Sequence, residues 1–253
     1  MSESNDGWMP AHFAAEKGQT AKLRRLIEAG CDVNQAEKHG RTPAYAAARF
    51  GHTAALELLV KAGCDVNQAM SDGATPAHIA AKEGQTAALG ILVEAGCDVN
   101  FAYENGFTPS HAAAQEGHTA VLDVLVKAGC DVNQSSNQGS TPAFIAAQEG
   151  HTAALDVLVK AGCDVNQATN DGVTPAYIAA RGGHTAALEL LVKAGCDVNQ
   201  APRGACVDAD GINDDSDEEV ERCRCIHCLE LENKLKKNTA GGLRQPRTPN
   251  INE

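Results

Sequence analysis

The chain has 253 residues and a net charge of −12, an acidic balance that argues against nucleic acid as a partner, because neutralised phosphates supply most of such binding. No stretch approaches the roughly 18 apolar residues of a membrane span, and Met1-Ser2-Glu3-Ser4-Asn5-Asp6 carries no basic-then-apolar leader. Six prolines, Pro10, Pro43, Pro76, Pro109, Pro142 and Pro175, each open an alanine-rich stretch at a spacing of 33 residues. Gly-Cys-Asp-Val-Asn keeps the same step from Gly30, Gly63, Gly96, Gly129, Gly162 and Gly195. A fixed period of this length means a solenoid, in which each unit buries its apolar face only by stacking on its neighbours.

The first copy is atypical. Its second helix reads Thr20-Ala21-Lys22-Leu23-Arg24-Arg25-Leu26-Ile27, with Arg25 where later copies carry Leu58, Ile91, Val124, Val157 and Leu190. Lys22 stands where they carry Ala or Val. Polar residues on one apolar face suit a terminal unit that no neighbour covers, so the array is expected to begin here, at a genuine N-terminus.

In the second copy Thr42 stands at an N-cap and Pro43 at the first helical position, where its missing N–H costs nothing. Ala44-Tyr45-Ala46-Ala47-Ala48-Arg49-Phe50 is strong helix former, and Gly51 ends it. A second helix is expected from about Thr53 to Ala62, with Leu56, Leu59 and Val60 at i, i+3, i+4 and Gly63 as its stop. Asp65-Val66-Asn67 and the polar stretch to Asp72-Gly73 predict an extended, turn-forming arm.

Two short helices and an arm every 33 residues, with Thr-Pro, Gly-His-Thr and Asp-Val-Asn in these places, resemble the ankyrin repeat. The resemblance covers about residues 4–200 and implies an all-α solenoid of six stacked repeats, each a helix-turn-helix with a β-hairpin arm. One departure is uniform: the leucine the family places after the proline is here Ala11, Ala44, Ala77, Ser110, Ala143 or Ala176. In repeats two and four Ala46 and Ala112 occupy a further leucine site. Those repeats are expected to have smaller cores and to open most readily, a lost buried leucine costing roughly 2–5 kcal/mol.

Ten cysteines raise the question of a disulfide framework. Cys31, Cys64, Cys97, Cys130, Cys163 and Cys196, however, recur at one phase, where the family has a small alanine. Equivalent positions in packed repeats lie roughly 8–10 Å apart, beyond the about 7 Å between Cα atoms that a disulfide bridges. These six read as small buried apolar side chains, which implies a reducing compartment, cytosol or nucleus. His52, His118, His151 and His184 start second helices, while His12, His78 and His111 follow the proline motif. Gln19 or Gln85 replaces the first kind, and Tyr45, Phe144 or Tyr177 the second. A site that accepts phenylalanine does not hold a catalytic base, and no Ser/Cys–His–carboxylate set stands out, so no catalytic residue is assigned.

With the interior so uniform, information lies where repeats differ, in the arm tips and the exposed end of the first helix. By the resemblance these form the concave face that ankyrin proteins offer to partners. Of nine aromatic residues, Phe13, Tyr45, Phe144 and Tyr177 sit in or beside the core. Trp8, Phe50, Phe101, Tyr103 and Phe107 fall on variable sites expected to be exposed, and Phe101 replaces a glutamine found in the other five repeats. Exposed aromatic and arginine side chains make binding hot spots; packing between adjacent arms is the competing reading. Arg41, Arg49 and Arg181 on the same face favour an acidic group on the partner. The expected function is that of a monomeric, non-enzymatic scaffold or adaptor. It would bind another protein through Trp8, Arg41, Arg49, Phe50, Met70, Phe101, Tyr103, Phe107 and Arg181.

Repeat six keeps Leu188, Leu190, Leu191 and Val192, and the residues after it form no seventh copy, with Val207-Asp208 where Thr-Pro would fall. Residues 201–215 read as an acidic linker, 216–237 as a helix covering that end, and 238–253 as a disordered tail. Ser216 with Glu219 makes a capping-box pattern, acids crowd the start of the helix and Lys234, Lys236 and Lys237 its end. Val220, Cys223, His227, Leu231 and Leu235 form one stripe. Cys223-Arg-Cys225-Ile-His227-Cys228 also has the Cys-x-x-Cys spacing of zinc sites and is similar to the opening of a MYND-type zinc finger, whose later ligands are absent. The alternative function is thus a zinc-dependent adaptor or regulator with Cys223, Cys225, His227 and Cys228 as ligands; no other cofactor is expected. Asp208, Asp210, Gly211 and Asp217 partly match a calcium loop, but Cys206 stands at its first position and the run reads as solvated linker.

Overall fold

A computed structural model describes residues 7–198 and Gln200. Its elements, in chain order, are α1 (Pro10–Glu16), α2 (Thr20–Glu28), α3 (Pro43–Arg49), α4 (Thr53–Lys61), α5 (Pro76–Lys82) and α6 (Thr86–Glu94). They continue with α7 (Pro109–Glu116), α8 (Thr119–Lys127), α9 (Pro142–Gln148), α10 (Thr152–Lys160), α11 (Pro175–Arg181) and α12 (Thr185–Lys193). Every first helix begins on its proline, behind a cap residue in extended conformation. Thr42 Oγ1 accepts the Tyr45 N–H at 3.1 Å, and Thr141 Oγ1 accepts that of Phe144 at 3.1 Å. In α5 and α7 the bond is reciprocal, because a histidine takes the part glutamate plays in a capping box. The N–H groups of Thr75 and Thr108 each donate to Nδ1 of His78 and His111 at 3.1 Å. In the first copy Met9 replaces the threonine, and its N–H donates to His12 Nδ1 at 3.3 Å.

The helices form two layers. α1, α3, α5, α7, α9 and α11 stack in order, α2 to α12 stack behind them in the same way, and each first helix packs on its own partner. The seam is built from alanines of the first layer, such as Ala47, Ala80 and Ala113, and leucines of the second, such as Leu56, Leu89 and Leu122, all fully buried. Narrow alanines let the layers approach, and the leucines fill the space between them. Ala46 is also buried, whereas Ala112 is half-buried. At the first repeat Lys22 and Arg25 are exposed, where Ala55 is buried and Leu58 half-buried in the next.

Each arm is a hairpin turn closed by one rung: Glu37 N–H to Arg41 O, Met70 to Ala74, Tyr103 to Phe107, Ser136 to Ser140 and Thr169 to Val173, at 2.8–3.1 Å. One rung is too short a ladder for a strand, and none occurs among the described residues. Successive arms meet edge to edge, with Ser71 N–H donating to His39 O at 2.9 Å and Asn137 N–H to Asn105 O at 2.9 Å. An asparagine series stitches the opposite turns, as when Asn67 Oδ1 accepts the Asp98 N–H at 2.8 Å and Asn100 Oδ1 that of Asp131 at 2.8 Å.

The repeated histidines pin repeat to repeat. Nε2–H of His52, His118, His151 and His184 donates to the carbonyl of Glu16, Lys82, Gln115 and Gln148 at 2.8–3.0 Å, each at the end of the preceding first helix. This explains a glycine column. Gly117 has φ +73°, and a Cβ there would lie 2.8 Å from Nδ1 of His151. Gly129 has φ +84° but nothing within 4 Å. Gly129→Ala should therefore cost only the left-handed strain, about 1 kcal/mol. Gly117→Ala should cost roughly 2–3 kcal/mol, because the displaced ring also loses its carbonyl. Urea unfolding of the two variants tests the difference; equal losses would contradict it.

Candidate interaction surface

The variable residues come from two places, the arm tips and the C-terminal ends of the first helices. The arm between α6 and α7 is folded so that Tyr103 N–H meets Phe107 O at 3.1 Å and Gly106 N–H meets Tyr103 O at 2.7 Å. That turn brings the rings of Tyr103 and Phe107 to 6.2 Å. His78 of the preceding repeat anchors them. Its Nε2–H donates to Phe107 O at 3.1 Å, and its ring stands edge-on to Tyr103 at 5.2 Å and to Phe101 at 6.2 Å. Phe107 continues the series to His111 at 5.0 Å.

Phe101, Tyr103 and Phe107 are consequently half-buried, not exposed as their variability suggested, with one side packed on the arm and its histidines. Trp8 behaves alike, half-buried against His12 at 5.6 Å and Phe13 at 5.4 Å. Met70 and Arg41 are also half-buried.

Phe50 differs. It is the C-cap of α3 and 44 % exposed. The equivalent column holds Lys17, Glu83, Glu116, Glu149 and Gly182, so the fold points this position at solvent. The Arg49 guanidinium lies 5.5 Å from the Phe50 ring centroid, and the His52 ring stacks at 6.3 Å and 26°. Sequence reasoning passed over Met9, which is 39 % exposed; its signal was an apolar residue in a threonine column.

The arginines are less alike than their sequence positions implied. Arg49 Nε lies 3.7 Å from Glu83 Oε1. Arg41 Nε lies 3.9 Å from Oε1 of buried Glu37, an oxygen that also accepts the His39 and Arg41 N–H groups at 2.9 and 3.1 Å. Arg181 is exposed. Two of the three cations thus have acids of their own chain beside them, which weakens their pull on an acidic partner.

His12, His78 and His111 are hydrogen-bonded at both ring nitrogens, Nε2 to the carbonyls of Arg41, Phe107 and Ser140. Burial pushes His78 and His111 down to about 4 and lowers His12. No nitrogen of these rings is left for a substrate proton. The six repeat cysteines are free and half-buried. Burial, with the adjoining aspartate second, pushes the thiols of Cys64, Cys97, Cys130, Cys163 and Cys196 up to about 11, where they are poor nucleophiles.

Cys223, Cys225, His227 and Cys228, and the segments 201–215, 216–237 and 238–253, lie outside the described residues. Among the described residues no group of three or more His, Cys, Asp or Glu could hold a metal ion, and no helix is long and apolar enough to cross a membrane. A family model for ankyrin repeats, built of three copies, matches residues 1–70, 63–136 and 128–201. No curated protein matches the chain.

Proposed function

This chain belongs to the ankyrin-repeat family, a protein-interaction module, and we propose that it is a monomeric, non-enzymatic adaptor whose arm-and-first-helix face grips another protein around Phe50. The observation that carries this reading is Phe50 itself, a large apolar side chain 44 % exposed in a column otherwise charged or glycine. Its neighbours suit a contact centre. Arg49 and His52 hold the ring in place, and rings already fixed lose little freedom on binding. Phe101, Tyr103 and Phe107, braced on His78, offer a second preformed apolar patch on the arm between α6 and α7. The acidic charge disfavours nucleic acid, and six free thiols in the repeats suit the cytosol or nucleus.

Proximity labelling in cells with wild type and Phe50→Asp tests the proposal. Neighbours enriched by wild type should be lost with Phe50→Asp, and an unchanged set would remove the surface assignment while leaving the fold intact. Phe101→Gln/Tyr103→Ser/Phe107→Ser is expected to lose the same neighbours. It should also cost roughly 1–3 kcal/mol of stability, because those rings are half-buried whereas the Phe50 ring is exposed.

A further inference from the structure

The two ends of the array are finished differently. At the first repeat the second helix exposes Lys22 and Arg25. At repeat six the residues stay apolar and lose cover. Ala180 is 8 % exposed, whereas Ala15, Ala48, Ala81, Ala114 and Ala147 are all at 0 %. Tyr177 is half-buried where Tyr45, His78, His111 and Phe144 are buried. Val198 is half-buried where Val33, Val66, Val99, Val132 and Val165 are buried. Each of these residues is covered by the next repeat elsewhere in the array.

We propose that residues 216–237 of this same chain dock on the α11–α12 end as an amphipathic helix and take the place of a seventh repeat. The inference is independent of the binding face above. Its stripe, Val220, Cys223, His227, Leu231 and Leu235, recurs at three- and four-residue steps, as one apolar helix face does. From Val220 to Leu235 such a stripe is about 22 Å long, enough to cross two helices packed roughly 10 Å apart. Residues 201–215 can span up to about 50 Å, so the connection imposes no strain. Charge agrees: α11 and α12 carry Arg181 and Lys193 against Glu189, and the segment opens on Asp217, Glu218 and Glu219. With about 3.6 residues per turn, docking in this register puts Cys223 in the seam and turns Cys225 away from it, with Cys228 at the margin.

Hydrogen exchange and thiol alkylation on the full chain test this. In wild type Cys223 should alkylate at least tenfold more slowly than Cys225. Leu231→Asp/Leu235→Asp should abolish that difference and raise exchange in α11 and α12 at least tenfold, with α1 to α8 unchanged. Leu231→Met/Leu235→Met should behave as wild type. Equal alkylation of Cys223 and Cys225, or exchange in α11 and α12 that ignores the Asp variant, would overturn the proposal. Protection of α11 and α12 that falls on dilution would assign the face to a second copy. Protection lost on adding a zinc chelator would assign it to a metal-held cluster. Either result overturns the proposal as well.

Discussion

Acidification from pH 6.5 to 4 should cost this protein about 3 kcal/mol of stability for each of His78 and His111. Both rings are buried, and desolvation lowers their proton affinity from the usual 6.5 to about 4. Between those values the unfolded chain binds protons that the folded chain refuses. Their contribution is therefore complete above pH 6.5 and is lost as pH falls toward 4. The geometry gives the same sign. His78 Nδ1 accepts the Thr75 N–H at 3.1 Å while Nε2–H donates to Phe107 O at 3.1 Å. A second proton can only go on Nδ1, where it turns the acceptor of the cap into a donor facing a donor. Asp72 lies near enough to His78 to favour the proton, but burial outweighs it. The chain supplies its own control, because Phe144 occupies the same column in repeat five. Urea midpoints of wild type and His78→Phe/His111→Phe at pH 7 and 4.5 should show the variant losing much less on acidification. Parallel losses would contradict this account.

Phe50→Asp should weaken partner binding at least thirtyfold, about 2 kcal/mol, and leave the unfolding free energy from urea titration within about 0.5 kcal/mol of wild type. The separation follows from exposure. The ring has solvent on much of its surface and a cation–π contact with Arg49, worth roughly 0.5–1 kcal/mol at such a site. An aspartate there would lie beside the same guanidinium. A large loss of stability would mean that Phe50 is structural, and its role as the contact centre would fall.

The period carried most of the architecture. Thr42, Pro43, Gly51 and Gly63 were enough to place α3 and α4, with α4 ending at Lys61 and Ala62 as its cap. The histidines could be recognised as structural because phenylalanine and tyrosine replace them, but their bonds could not be read. Those bonds join residues 29 or 36 apart, just off the period, and become visible only when repeats are stacked. The aromatic arm was legible as an anomaly and not as a packed object. Its rings are half-buried because His78, in the repeat before, lies beneath them, and no local property of Phe101 to Phe107 announces that. The pairing of Arg49 with Glu83 was hidden for the same reason. Phe50 kept its predicted exposure because the C-cap of a first helix faces solvent whatever the neighbours do.

The central claim, that a partner protein sits against the face around Phe50, is tested most directly by a photo-crosslinking side chain placed at residue 50 and, separately, at Asp123, an exposed residue of α8 on the opposite layer. Crosslinking in cells should yield a discrete protein adduct from position 50 and none of that size from position 123. The same adducts from both positions, or an adduct from position 123 alone, would contradict the claim.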